Sequence, residues 1–156
     1  MQPQRRTLLQ ASMAVGTVAL AAGAGLLSPR AVLAAWPKQA FEARKLPEAL
    51  NALLGNAQAS NSDQVTVKAP DIAENGAVVS VTVTTTLPNV ESISVFVPVN
   101  AFPLAASYEL SDVTDGFVTG RIKMAKTSDV IAVVKAGGKL YSAKKGVKVT
   151  LGGCGG

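Results

Sequence analysis

Histidine is absent from this 156-residue chain and cysteine occurs once. Zinc, haem and copper sites of the usual nitrogen and sulfur type therefore have no ligand set, and no metal or cofactor is expected. A Cys-His nucleophilic pair is excluded on the same ground, as is an intrachain disulfide. Aromatic residues are also sparse, 7 in all, and scattered without a stacking pattern. Charged residues make up 16% against 48% hydrophobic, which is too apolar for disorder and sufficient for one domain with a core.

What is present begins with an N-terminal export signal. Gln4-Arg5-Arg6-Thr7-Leu8-Leu9-Gln10 pairs two arginines with two leucines, and an uncharged Ala/Gly-rich run follows from Ala11 to Leu27. This segment resembles a twin-arginine signal peptide. The run is shorter than the roughly 20 residues of a spanning helix and is diluted by Gly16, Gly23 and Gly25, so a permanent anchor is the weaker reading. Val32-Leu33-Ala34 offers a cut before Ala35, with a signal over 1–34 and a mature chain of 122 residues, 156 less 34. The twin-arginine route carries folded cargo, which suits a protein that folds with a partner or cofactor before export.

Loss of the signal changes the charge balance. The formal net charge of +5 includes Arg5, Arg6 and Arg30, with no acid among the first 34 residues. Removing these three of the 15 basic side chains leaves 12 against 10 acidic, a net of +2. The electrostatic footprint of nucleic-acid binding disappears with them.

The mature chain opens on helical spacing and then changes period. Leu46, Leu50, Leu53 and Leu54 share one helix face, Pro47 suits a helix start, and Gly55-Asn56 supplies a stop. This helix is expected to pack on a sheet rather than on a membrane. From Gln64 onward the period is two. Val79, Val81 and Val83 alternate with polar residues, as do Val118, Ile122 and Met124, while Ile93, Val95, Val97 and Val99 form a charge-poor strand suited to a core or an interface. Asn75-Gly76, Pro88-Asn89 and Asp115-Gly116 mark turns, and Gly137-Gly138 between Val130–Ala136 and Lys139–Ser142 predicts a tight hairpin. Ala57–Asp63 reads as a connector, and Val147–Leu151 as the last strand. Together these predict a mainly β protein, an immunoglobulin-like antiparallel β-sandwich over 35–151 with one N-terminal helical segment.

The last strand runs into Gly152-Gly153-Cys154-Gly155-Gly156, where the lone cysteine stands between glycine pairs. Glycine has no side chain and visits positive φ, so these positions predict a thin, mobile arm. Extended, five residues reach roughly 17 Å. A leftover cysteine in an exported chain indicates intermolecular pairing or a reactive thiol. Lys144, Lys145 and Lys148 favour the thiolate and the terminal carboxylate opposes it; those lysines are otherwise a solvated strand face or a docking surface. Prenylation fails because Cys154 is third from the end.

The terminal Val147-Lys148-Val149-Thr150-Leu151-Gly152-Gly153-Cys154-Gly155-Gly156 resembles the hallmark of the SoxY family, the sulfur carriers of the periplasmic Sox thiosulfate-oxidising system. Pro70-Asp71-Ile72-Ala73-Glu74-Asn75-Gly76, Gly120-Arg121-Ile122-Lys123-Met124 and Leu140-Tyr141-Ser142-Ala143 resemble family segments less specifically. Asn100-Ala101-Phe102-Pro103 departs from an Asn-Pro-x-Pro pattern associated with the family. The resemblance implies a periplasmic, non-enzymatic carrier with Cys154 as the covalent attachment site and Gly152, Gly153, Gly155 and Gly156 as its arm. It further implies a SoxZ-like partner subunit and transient SoxAX-, SoxB- and SoxCD-like enzymes. Two other classes compete. One is an exported structural or adhesive sandwich crosslinked through Cys154. The other is a ubiquitin-like carrier activated at the Gly156 carboxylate, a cytoplasmic, ATP-dependent class that the export signal disfavours.

Overall fold

A computed structural model describes residues 37–55, 58–111 and 113–152. The expected export signal and the terminal residues 153–156, Cys154 among them, lie outside this set. Among the described residues two short helices, α1 (Lys38–Glu42) and α2 (Leu46–Leu54), precede nine strands. These are β1 (Ser60–Asn61), β2 (Val65–Lys68), β3 (Ile72–Asn75), β4 (Val79–Thr85), β5 (Val90–Phe96), β6 (Leu104–Glu109), β7 (Phe117–Ile122), β8 (Ser128–Ala136) and β9 (Lys139–Leu151).

The strands form two sheets. The larger runs β1-β9-β8-β5-β6 with β3 also paired to β9, and the smaller runs β2-β4-β7. Facing residues of the two sheets meet in one core: Val79, Val81, Val83 and Val118 from the small sheet against Ile93, Val95, Val130, Ala132 and Val134 from the large one. This is the immunoglobulin-like sandwich. The other face of the large sheet is covered by the helices, where Phe96, Leu104, Val133 and Leu140 pack with Ala40 and Ala49. β5 and β8 are thereby buried on both faces; in β8 this gives the unbroken apolar run Val130–Val134, whereas β5 buries Ser92 and Ser94 as well, Ser94 Oγ lying 3.1 Å from Ser107 Oγ. Of the expected strand Ile93–Val99, Ile93–Val97 is core, with Ile93, Phe96 and Val97 having no exposed surface, whereas β5 ends at Phe96 and Val99 lies exposed in the turn beyond it.

Local chemistry explains most boundaries. Pro47 lies in the first turn of α2, where a missing N–H costs nothing, and Gly55 closes the helix by donating its N–H to Asn51 O at 2.9 Å. The β8–β9 hairpin pairs Ala136 with Lys139 across Gly137 and Gly138, whose φ values of 55° and 73° are those of a two-residue primed turn. Asn75 caps the turn after β3, its Oδ1 accepting from Ala77 N at 2.8 Å.

Four further features differ from expectation. The helical segment breaks in two because Ala43 is extended, at φ −61° and ψ 138°. β1 and β3 pair with β9 in parallel, so the sandwich is not wholly antiparallel. β1 itself lies within the expected connector. Finally, the two anticipated strands after the hairpin are one, β9, because Lys144, Lys145 and Gly146 continue the ladder opposite Ile131, Val130 and Asp129.

Candidate functional site

β9 outruns its neighbour. β8 begins at Ser128, paired with Val147, so Lys148–Leu151 extend past it and need other partners. On one side β3 supplies them, with Ile72 opposite Lys148, Ala73 opposite Val149 and Asn75 opposite Leu151. Gly76 N donates to Leu151 O at 2.7 Å, and Thr150 Oγ1 donates to Glu74 O at 2.9 Å. On the other side Val149 N donates to Thr127 Oγ1 at 2.9 Å. The strand that leads to the terminal glycines is thus held along both flanks.

Of the expected arm, Gly152 alone falls among the described residues, and its backbone lies against the carbonyl of Ala125. A Cβ at this position would sit far inside the closest approach of real Cβ atoms to that oxygen, with the carbonyl carbon at 3.3 Å. Met124 N donates to Gly76 O at 2.7 Å, joining this segment to the turn after β3. Asn100 fixes it from the other direction. Its Nδ2 donates to Lys123 O at 2.8 Å and its Oδ1 accepts from Ala125 N at 2.9 Å.

Two of the lysines on β9 are paired. Lys144 lies 3.4 Å from Asp129, and Lys145 bonds Asp71. The Lys145 hydrogen bond, reinforced by its charge, holds the Asp71 carboxyl below its ordinary value. Lys148 donates its backbone N–H to Asp71 O at 2.9 Å. Two of the three lysines singled out from the sequence therefore face acidic neighbours on the strand surface.

Among the described residues no group of three or more His, Cys, Asp or Glu side chains is arranged to hold a metal. No helix among them is long and apolar enough to cross a membrane. A cleft of about 380 Å³ opens between α2 and the hairpin, lined by Leu50, Leu54, Ile131, Val133, Leu140 and Ser142 among others. It carries no titratable side chain and adjoins the start of β9, the end remote from Gly152.

Asn100, Ala125, Thr127 and Gly76, which build the exit of the tail, carry no sequence spacing that links them. Each reaches Gly152 or β9 only through the fold.

Fold and terminus define the class: an immunoglobulin-like sandwich whose last strand leads directly into a glycine-flanked cysteine. Residues 50–154 match the family model of the sulfur oxidation protein SoxY. The structure is similar to that of the sulfur carrier protein SoxY from Chlorobium limicola f thiosulfatophilum, with 45% identity and a TM-score of 0.63 over 69% of this chain and 97% of that one. The chain belongs to the SoxY family of sulfur carriers. A superoxide reductase (neelaredoxin) from Ignicoccus hospitalis shares the fold alone, at 16% identity and a TM-score of 0.52 over 58% of this chain and 94% of that one. No curated protein gives a significant match.

Proposed function

We propose that this chain holds thiosulfate-derived sulfur covalently on Cys154 and carries it between the enzymes of a Sox thiosulfate-oxidation system. The supporting observation is the extent of the family match, which ends on Cys154, the chain's single cysteine. In the first step the thiol sulfur bonds to the outer sulfur of thiosulfate, with loss of the thiol proton and of two electrons to a haem-dependent, SoxAX-like oxidant. Water then cleaves the terminal sulfone as sulfate on a SoxB-like hydrolase, leaving a sulfane sulfur on Cys154. A molybdenum-containing, SoxCD-like partner oxidises that sulfur further, or it is released. The carrier supplies only the nucleophilic atom.

The glycines serve the same purpose. Several unrelated active sites must accept the adduct, and side chains beside Cys154 would have to fit all of them. Ordering a flexible arm costs on the order of 1–2 kcal/mol per residue, which keeps each docking weak enough for the arm to leave. The chain acts outside the cytoplasm, exported through the twin-arginine pathway by residues 1–34, in complex with a SoxZ-like subunit.

Intact mass of the exported protein, before and after reductant, tests the reading. Wild type carries a reductant-labile thiosulfonate or sulfane addition, and Cys154→Ser carries none while its circular dichroism is unchanged. An adduct retained on Cys154→Ser, or a disulfide dimer of wild type without added sulfur, sinks it; the latter result favours a crosslinked structural module.

A further inference from the structure

We infer that Asn100 and Gly152 are positioning residues that fix where, and in which direction, residues 153–156 leave the sandwich. The contacts close a ring around the end of β9. Leu151 O accepts from Gly76 N, Gly76 O accepts from Met124 N, and the next residue, Ala125, turns its carbonyl onto Gly152. Each bond in the ring is 2.7 Å.

Asn100 ties the ring down on its Lys123–Ala125 side. An asparagine amide offers a donor and an acceptor side by side, so one side chain can satisfy both a C=O and an N–H of a passing backbone. Asn100 does this to Lys123 and Ala125, and at 9% exposure it has little water to replace those bonds. Its own loop is tied down as well. Asn100 N donates to Val97 O at 3.1 Å, Val97 N donates to Pro103 O at 2.8 Å, and the Arg44 guanidinium lies 4.2 Å from the centre of the Phe102 ring. Asn100 thereby holds the two peptide units that lead into Ala125, which limits how far its carbonyl can retreat from a larger residue at 152.

Gly152 is thus glycine for a different reason from Gly153, Gly155 and Gly156. It lets the end of the strand lie against a fixed carbonyl, so the chain beyond it starts from one point rather than from a cone of directions. On the carrier reading, on which only this consequence rests, the thiol is offered at one end of the sandwich and partner enzymes need to recognise only that end.

The single cysteine makes the test direct. A nitroxide attached to Cys154 of the purified protein broadens the amide resonances of the residues it visits. In wild type the broadened amides cluster at Asn75–Val78, Val99–Phe102 and Lys123–Thr127. In Gly152→Ala and in Asn100→Ala that set changes: its members recover intensity twofold or more, and amides flanking β9, in Asp71–Glu74 or Lys145–Val149, broaden instead. Gly153→Ala keeps the wild-type set. An unchanged set in Gly152→Ala overturns the inference, and the amide spectrum itself reports whether each variant is folded. Gly152 is exposed, so its variant decides the matter even if Asn100→Ala unfolds. The measurement involves no sulfur chemistry. A chain that took up no sulfur would end the carrier reading and leave this result standing.

Discussion

The hydroxyl of Thr127 accepts the backbone N–H of Val149 at 2.9 Å and lies 3.4 Å from the carbonyl oxygen of the same residue. It takes the place of a neighbouring strand where β8 has ended. The bond holds the last residues of β9 before the glycine tail, so its loss should be felt locally.

Thr127→Val removes both interactions while keeping the side chain's shape. A net hydrogen bond contributes about 0.5–1.5 kcal/mol, which corresponds to a roughly 2- to 13-fold faster exchange of the Val149 amide. Amides of Val133 and Val134 in the core of β8 should be unaffected. Unchanged exchange at Val149 would show that β3 alone holds the end of β9.

Phe96 tests the third layer. It is fully buried on the helix-facing side of β5, against Leu104, Val133 and Leu140. Truncation to alanine leaves a cavity between sheet and helices, and Phe→Ala at such sites costs about 3–5 kcal/mol. For a domain of this size that lowers Tm by roughly 12–20 °C. Val113→Ala, at 95% exposure, is the matched control and should move Tm by almost nothing. A small effect at Phe96 would mean that α1 and α2 contribute little to stability.

Local periodicity made the sandwich legible because most of its strands are half-buried or fully apolar. The alternation at Val79–Val83, the Gly137-Gly138 turn and the leucine face of α2 all express their burial in adjacent residues. β6 was hidden because Leu104-Ala105-Ala106-Ser107-Tyr108-Glu109 has little β propensity of its own. It is a strand because β5 offers it an edge. The parallel partners β1 and β3 were invisible for a related reason, since each pairs with a strand some 75 or more residues further on. At the proposed site, Cys154 and its glycines stand out in the sequence by rarity. Asn100 does not, although its departure from a family pattern lies in plain view. What makes it matter is a backbone segment more than 20 residues away.

Glu91 and Lys135 should give stability a pH dependence with opposite signs at the two ends of the scale. Their side chains meet at 2.7 Å, and Gly138 N also donates to Glu91 Oε1 at 2.8 Å. The Lys135 hydrogen bond, with help from Gly138, depresses the Glu91 carboxyl below its ordinary 4.5. Below 4.5 the unfolded chain takes up that proton first, so this stabilisation is present above 4.5 and lost as pH falls through the folded value. Lys135 is raised above its ordinary 10.5 by Glu91, so its share is present below 10.5 and lost as pH rises through the folded value. Glu91→Gln still accepts from Gly138 but removes the acid slope and weakens the alkaline one, to which the charge of Glu109 adds a smaller part. Both groups are more than a third exposed, so the wild-type-minus-variant difference in urea midpoint should be small at neutral pH and shrink with added salt. A difference that stays constant from pH 3 to neutrality, the range around the ordinary 4.5 of Glu91, would show that the pair does not couple to folding.

Gly153 and Gly155 should respond to enlargement in a way that separates the arm from its root. Neither position belongs to the sandwich as described, so Gly153→Val and Gly155→Val should leave its circular dichroism and Tm unchanged. On the proposed carrier role, their effect should appear only when the tail enters a partner's site, where two branched side chains would meet a pocket shaped for none. Overpacking of this kind costs about 1–3 kcal/mol, which slows processing of the Cys154 adduct by roughly 5- to 150-fold. Loading by a small alkylating reagent, which has no pocket, should proceed at the wild-type rate. If alkylation slowed in step with enzymatic turnover, the substitutions would be acting on the thiol itself rather than on its passage into partner sites. If neither rate changed, the glycines would not be needed for access, and fitting several active sites could not be the reason that this cysteine stands between them.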